Sequence, residues 1–126
     1  MAETSREKSL PPEIQRLLVQ YQSVRDHYAR IEAELRAIEA ELSEIDSIND
    51  TLKNLDDSVE LYKSVGHILV KRTRSEVLKE LEERKEILIV KRDKYKKQLD
   101  FLSKQIQDLE NKLREALAKH GITIGQ

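Results

Sequence analysis

The stretch Val59-Glu60-Leu61-Tyr62-Lys63-Ser64-Val65-Gly66-His67-Ile68-Leu69-Val70-Lys71 interrupts a chain that otherwise has the composition of long helices. It is rich in β-branched and aromatic residues, which favour strands. Gly66-His67 sits at its centre with the Gly-X form of a type II′ turn. That turn predicts a β-hairpin over 59–71, with Val65 opposite Ile68, Ser64 opposite Leu69 and Lys63 opposite Val70. On this register one face gathers Leu61, Val65, Ile68 and Val70, and the other still carries Tyr62 and Leu69. Neither face is polar. A lone two-stranded hairpin is marginal in water, and its open edges invite further strands. Val59, Leu61, Tyr62, Val65, Ile68, Leu69 and Val70 are therefore expected to join the hairpins of neighbouring subunits, building a hub that is a shared sheet or a β-barrel.

Outward from the hairpin the pattern is helical. Ala, Glu, Lys, Leu and Arg make up half of the 126 residues, a composition typical of coiled coils. The two prolines stand together at 11 and 12 and the three glycines at 66, 121 and 125, so two long arms run without a breaker. Pro12 suits a first helical position, where its missing N–H costs nothing. From there Ile14, Leu17, Tyr21, Val24, Tyr28, Ile31, Leu35, Ile38, Leu42, Ile45 and Leu52 recur in steps of three and four, with Asn49 breaking the series. This predicts a helix over 12–55 with a heptad seam. Asp56-Asp57-Ser58 reads as a turn. The second arm is predicted over 74–120, capped by Thr73 with Glu76 three residues on as in a capping box. Its seam is Leu78, Leu81, Leu88, Tyr95, Leu99, Leu102, Ile106, Leu109, Leu113 and Ala116, with Lys85 and Arg92 intruding. The arm should end near His120 and Gly121. Arms of this length would be rods of about 60 to 70 Å.

A short connection folds the two arms antiparallel, and charge supports the pairing. Residues 32–50 hold seven acids against Arg36, and residues 84–97 hold seven bases against Glu86 and Asp93. Lys85 and Arg92 are expected to lie along the seam with their charges among Glu39, Glu41 and Asp46. The fold class is mainly α, a long antiparallel two-helix coiled coil with a single β-hairpin at the bend. Residues 1–9 form a disordered tail, 10–126 a single domain, and 121–126 a short tail.

Several function classes are disfavoured. A net charge of -1 lacks the positive excess that non-specific binding to nucleic-acid phosphates usually requires. There is no cysteine for a disulfide or a thiolate. The glycines form neither GxxxxGK nor GxGxxG. His27, His67 and His120 are scattered over a helix, a turn and a helix end, so no metal, cofactor or catalytic group is expected. No signal peptide or membrane span is readable, and a cytoplasmic protein follows. Lys91, Arg92, Lys94, Lys96 and Lys97 leave a nucleic-acid-binding helical arm as one alternative. A coiled-coil structural adaptor is another.

The hairpin run, with its Tyr-Lys-x-Val-Gly and Leu-Val-Lys elements between two heptad helices after a Pro-Pro opening, resembles the β-type subunits of the prefoldin family, in its archaeal form. The resemblance covers nearly the whole chain. It implies an α2β4 hexamer with α-type partners, a jellyfish-shaped assembly, and an ATP-independent co-chaperone. Such a protein is no enzyme; it holds unfolded polypeptides at its coiled-coil tips and delivers them to a group II chaperonin. At the free ends Leu18 and Val19 lie beside Ile14 and Leu17, Leu117 lies beside Leu113 and Ala116, and Ile122 and Ile124 follow. These nine residues are the candidate client contacts. One tip buries too little apolar surface to hold a client firmly, whereas several acting together could.

Overall fold

The computed structural model describes residues 10–122. The tail expected at 1–9 and the candidate contact Ile124 lie outside the described residues. The elements run α1 (Pro12–Lys53), β1 (Leu61–Val65), β2 (Ile68–Arg72) and α2 (Arg74–Lys119). The described residues group into two compact units. One holds residues 34–95 with the hairpin, and the other holds 10–33 and 96–122.

In the hairpin unit Ile38, Leu42, Ile45 and Leu88 form the buried cluster, with Leu81, Ile89 and Tyr95 packed against it. Leu88 is 1% exposed and Ile45 3%. Arg84 of α2 bonds Glu41 of α1, and Tyr95 bonds Glu34. As numbers rise along one helix they fall along the other, so the pairing is antiparallel. The heptad logic explains why the seam is thin: apolar side chains occupy one stripe on each helix and charged ones the rest. Leu78 departs from it at 38% exposed, while Val77 beside it is half-buried.

Of the two cations expected along the seam, Lys85 behaves as predicted, its Nζ 3.4 Å from Asp46 Oδ1. Arg92 does not. Its Nε lies 3.4 Å from Oδ1 of Asp93, the next residue on its own helix, because a neighbouring carboxylate can be met without extending the chain across the seam.

α1 closes at Lys53, two residues before the expected Leu55. Asn54 N–H donates to Thr51 and Leu55 N–H to Leu52, tightening the last turn. The Asp56 turn follows as predicted, with Ser58 N–H on the Asp56 carboxylate and Val59 N–H on the Asp56 carbonyl. Arg74, in the first turn of α2, then reaches back across the hairpin base. Its Nη2 donates to the carbonyls of Leu55 at 2.6 Å and Asp56 at 3.1 Å, and its Nη1 meets Asp57 Oδ1 at 2.9 Å.

Thr73 caps α2: the Glu76 N–H donates to its hydroxyl at 3.1 Å. The return bond differs from a capping box, since the Thr73 hydroxyl itself donates to the Glu76 carboxylate. In the second unit Ile14, Leu17, Leu109, Leu113 and Ala116 make the buried cluster. α2 ends there in a Schellman motif, with Gly121 at φ +69, Ile122 N–H on the Leu117 carbonyl at 2.8 Å and Gly121 N–H on Ala118 at 3.1 Å.

Candidate functional site

Two surfaces carry the residues singled out above, one in each unit. The hairpin has the predicted register, Val65 opposite Ile68, Ser64 opposite Leu69 and Lys63 opposite Val70, extended by Tyr62 with Lys71 and Leu61 with Arg72. Gly66 has φ +59, and no residue other than glycine has a positive φ among the described residues, so the turn needs left-handed backbone only at its first position, as type II′ does. Directly opposed residues share a face. One face therefore carries Leu61, Lys63, Val65, Ile68, Val70 and Arg72, and the other Tyr62, Ser64, Leu69 and Lys71.

The first face is tied to α2 by charge. Lys63 Nζ lies 2.8 Å from Glu80, and Arg72 Nη1 is 3.3 Å from both Glu76 and Glu80. Lys63, and beside it Arg72, hold the Glu80 carboxyl below its ordinary range. On the other face the Tyr62 hydroxyl donates to Glu60 at 2.7 Å, and Lys71 meets the same carboxylate at 3.3 Å. The two bonds depress the Glu60 carboxyl, the hydroxyl first, and the carboxylate in turn raises the Tyr62 phenol. These ties leave the apolar side chains in water: Tyr62 is 53% exposed, Ile68 63% and Leu69 70%. Val59 and Val65 are also exposed, and Leu61 and Val70 half-buried. Val59 stands just before β1, in the turn at the hairpin's base.

In the other unit Leu10, Ile14, Leu18, Tyr21, Leu113 and Leu117 line an open groove of about 370 Å³, with Glu110 and Arg114 at its margin. Ile14, Leu17, Leu113 and Ala116 are buried in the seam; Leu117 and Ile122 pack half-buried against it. Leu18 is at the groove's lip, 36% exposed, and Val19 faces water at 67%. Polar bonds brace the groove. Arg25 donates to the Tyr21 hydroxyl at 3.0 Å and lies over its ring, and Tyr21 donates to Glu110 at 3.3 Å. His120 Nε2 lies 3.5 Å from Glu13 Oε2.

Leu10 and Tyr21 were not among the candidate contacts. Tyr21 reads as a plain seam residue, and Leu10 precedes the helix, where periodicity carries no signal. Arg74 was also missed: nothing in a linear pattern marks a side chain that bonds backbone carbonyls about 20 residues upstream. Among the described residues no group of three or more His, Asp or Glu could hold a metal ion, and no helix is long and apolar enough to cross a membrane.

Residues 15–120 match the family described as Prefoldin subunit. Prefoldin subunit beta of Saccharolobus islandicus is 40% identical over 113 residues, covering 90% of each chain. The protein of that name from Sulfurisphaera tokodaii is 40% identical over 111 residues, covering 88% of this chain and 89% of its own. The solved prefoldin beta subunit from Thermococcus strain KS-1 superposes with a TM-score of 0.77 at 28% identity, over 86% of this chain and 96% of that one.

Proposed function

The chain belongs to the prefoldin family, and we propose that it works as a β-type subunit of a cytoplasmic, ATP-independent co-chaperone that holds unfolded polypeptides and passes them to a group II chaperonin. The observation that carries this reading is the unsheltered hairpin. Tyr62, Ile68 and Leu69 are each more than half exposed, on a two-stranded sheet whose outer edges have no partner among the described residues. Burying such side chains contributes roughly 1.5 to 3 kcal/mol each, so strands from sister subunits are the natural cover. Four chains of this type and two α-type partners would close the hub.

Client holding falls to the groove of Leu10, Ile14, Leu18, Tyr21, Leu113 and Leu117, with Val19, Ile122 and Ile124 as further contacts. An open apolar trough accepts side chains without reading their sequence, which suits non-native clients. The groove of one subunit binds weakly, and several subunits acting together raise avidity while still allowing release. The test joins native mass spectrometry of the chain co-produced with an α-type subunit to light scattering of a chemically unfolded client, in buffer without nucleotide. A hexamer that suppresses aggregation is expected. A monomer, or a hexamer that suppresses nothing, would overturn the reading.

A further inference from the structure

α2 carries a second stripe besides its seam. Glu76, Glu80, Glu83, Ile87, Val90 and Lys94 recur in steps of four and three, the spacing that lines side chains along one flank of a helix. The first two of these residues hold the chain's own hairpin through Lys63 and Arg72. The apolar pair that follows is uncovered, Ile87 at 49% and Val90 at 69% exposed. The pair is one helical turn long and bounded by Glu83 on one side and Lys94 on the other. A partner helix would need apolar side chains repeated over several turns; beyond Val90 the same spacing meets Lys94 and Lys97 before the next exposed apolar side chain, Phe101 at 62%. A hairpin tip, two residues wide, fits a patch of this length.

From these observations we infer that Ile87 and Val90 seat the hairpin of a second copy of this chain, which lays its outward face, with Leu69 near the tip, on the continuation of the stripe that already holds the resident hairpin. The inference rests on the hub reading given above and extends it: the contact between neighbouring subunits includes a helix flank as well as strand edges. Both sides are already presented. The outward hairpin face carries Leu69 at 70% and Tyr62 at 53% exposed, and its cross-strand and local bonds to Glu60 leave those apolar surfaces free.

The chain contains no cysteine, so introduced thiols report cleanly. Leu69→Cys on one tagged copy and Val90→Cys on a differently tagged copy are co-assembled with the sister subunits and oxidised. A disulfide requires Cα atoms within about 7 Å, and a product linking the two tags is expected. Lys96→Cys, on another side of α2, should give none in place of Val90→Cys. The double variant Ile87→Lys/Val90→Lys, with helix content checked by circular dichroism, should assemble at least about tenfold less tightly. If the complex forms but the link does not, or the lysine variant assembles normally, the helix seat is wrong and the strand hub stands. If the unmodified chain forms no oligomer, the hub and the seat fall together.

Discussion

The guanidinium of Arg84 grips the carboxylate of Glu41 from the opposite helix through two bonds, Nε to Oε2 at 2.7 Å and Nη2 to Oε1 at 3.0 Å. A fork meeting a carboxylate with both arms fixes direction as well as charge. It thereby favours one register of α2 on α1, the one in which Ile38, Leu42, Ile45 and Leu88 meet in the buried cluster.

The pair also sets a pH dependence. Arg84 lowers the Glu41 carboxyl below its usual range, and Lys63 and Tyr62 do the same for Glu80 and Glu60. A depressed folded-state value means that the unfolded chain binds more protons in the window between the two values. Stability from these groups is therefore fully present above the unfolded carboxyl range, about 4.3, and is lost as pH falls through the lower folded values. Thermal midpoints should drop on acidification in that window. In Glu41→Gln the midpoint should start lower at neutral pH and the acid slope should flatten; an unchanged slope would assign the titration elsewhere.

Leu88→Ala removes a side chain that is 1% exposed from the hairpin unit's cluster. The loss of transfer energy and the cavity left behind predict a cost of about 2 to 5 kcal/mol, read by urea unfolding. Leu78→Ala, at 38% exposed, should cost far less, although both belong to the same heptad pattern.

Gly66→Ala tests the turn. A Cβ there meets nothing within 4 Å, so any penalty comes from the backbone at φ +59 rather than from collision. Holding a non-glycine residue in such a sparsely populated backbone region costs about 1 to 3 kcal/mol. The expected outcome is faster amide exchange across β1 and β2 with unchanged exchange in the centre of α1.

At the groove, Leu18→Ser with Val19→Ser changes two exposed positions. It should weaken client holding severalfold in the light-scattering assay while leaving the thermal midpoint and the oligomer intact. Ile14→Ala should differ in emphasis, since Ile14 is 1% exposed in the seam while it also lines the groove: the midpoint falls, and holding weakens both with it and through the lost groove wall. Equal holding by the Leu18/Val19 variant would exclude those side chains as contacts.

Much of this fold could be read from residues whose effect is local or periodic. Gly66 announced its turn because only glycine takes that backbone easily, and the turn's two-residue length then set every cross-strand pair. The heptads announced both helices because burial on one stripe is a property of spacing. What escaped depends on where long side chains reach. Arg92 had an acid beside it as well as acids across the seam, and the nearer one won. Ile87 and Val90 belong to a stripe that runs in parallel with a stronger seam, which hides it in any count of apolar periodicity. The groove needs Leu10 and Tyr21 from one segment and Leu113 and Leu117 from another; separations of about 100 residues leave no mark in a linear pattern.

The reach of Arg74 has one more consequence. A single cation from the first turn of α2 bonds two carbonyls of the turn that follows α1 and the acid after them, so the chain leaves one helix and enters the other through one shared latch. Loosening one attachment point breaks bonds that also hold the other. The hairpin is mounted as a bracket rather than a swivel, and whatever load a neighbouring subunit places on it is borne by both helices at once.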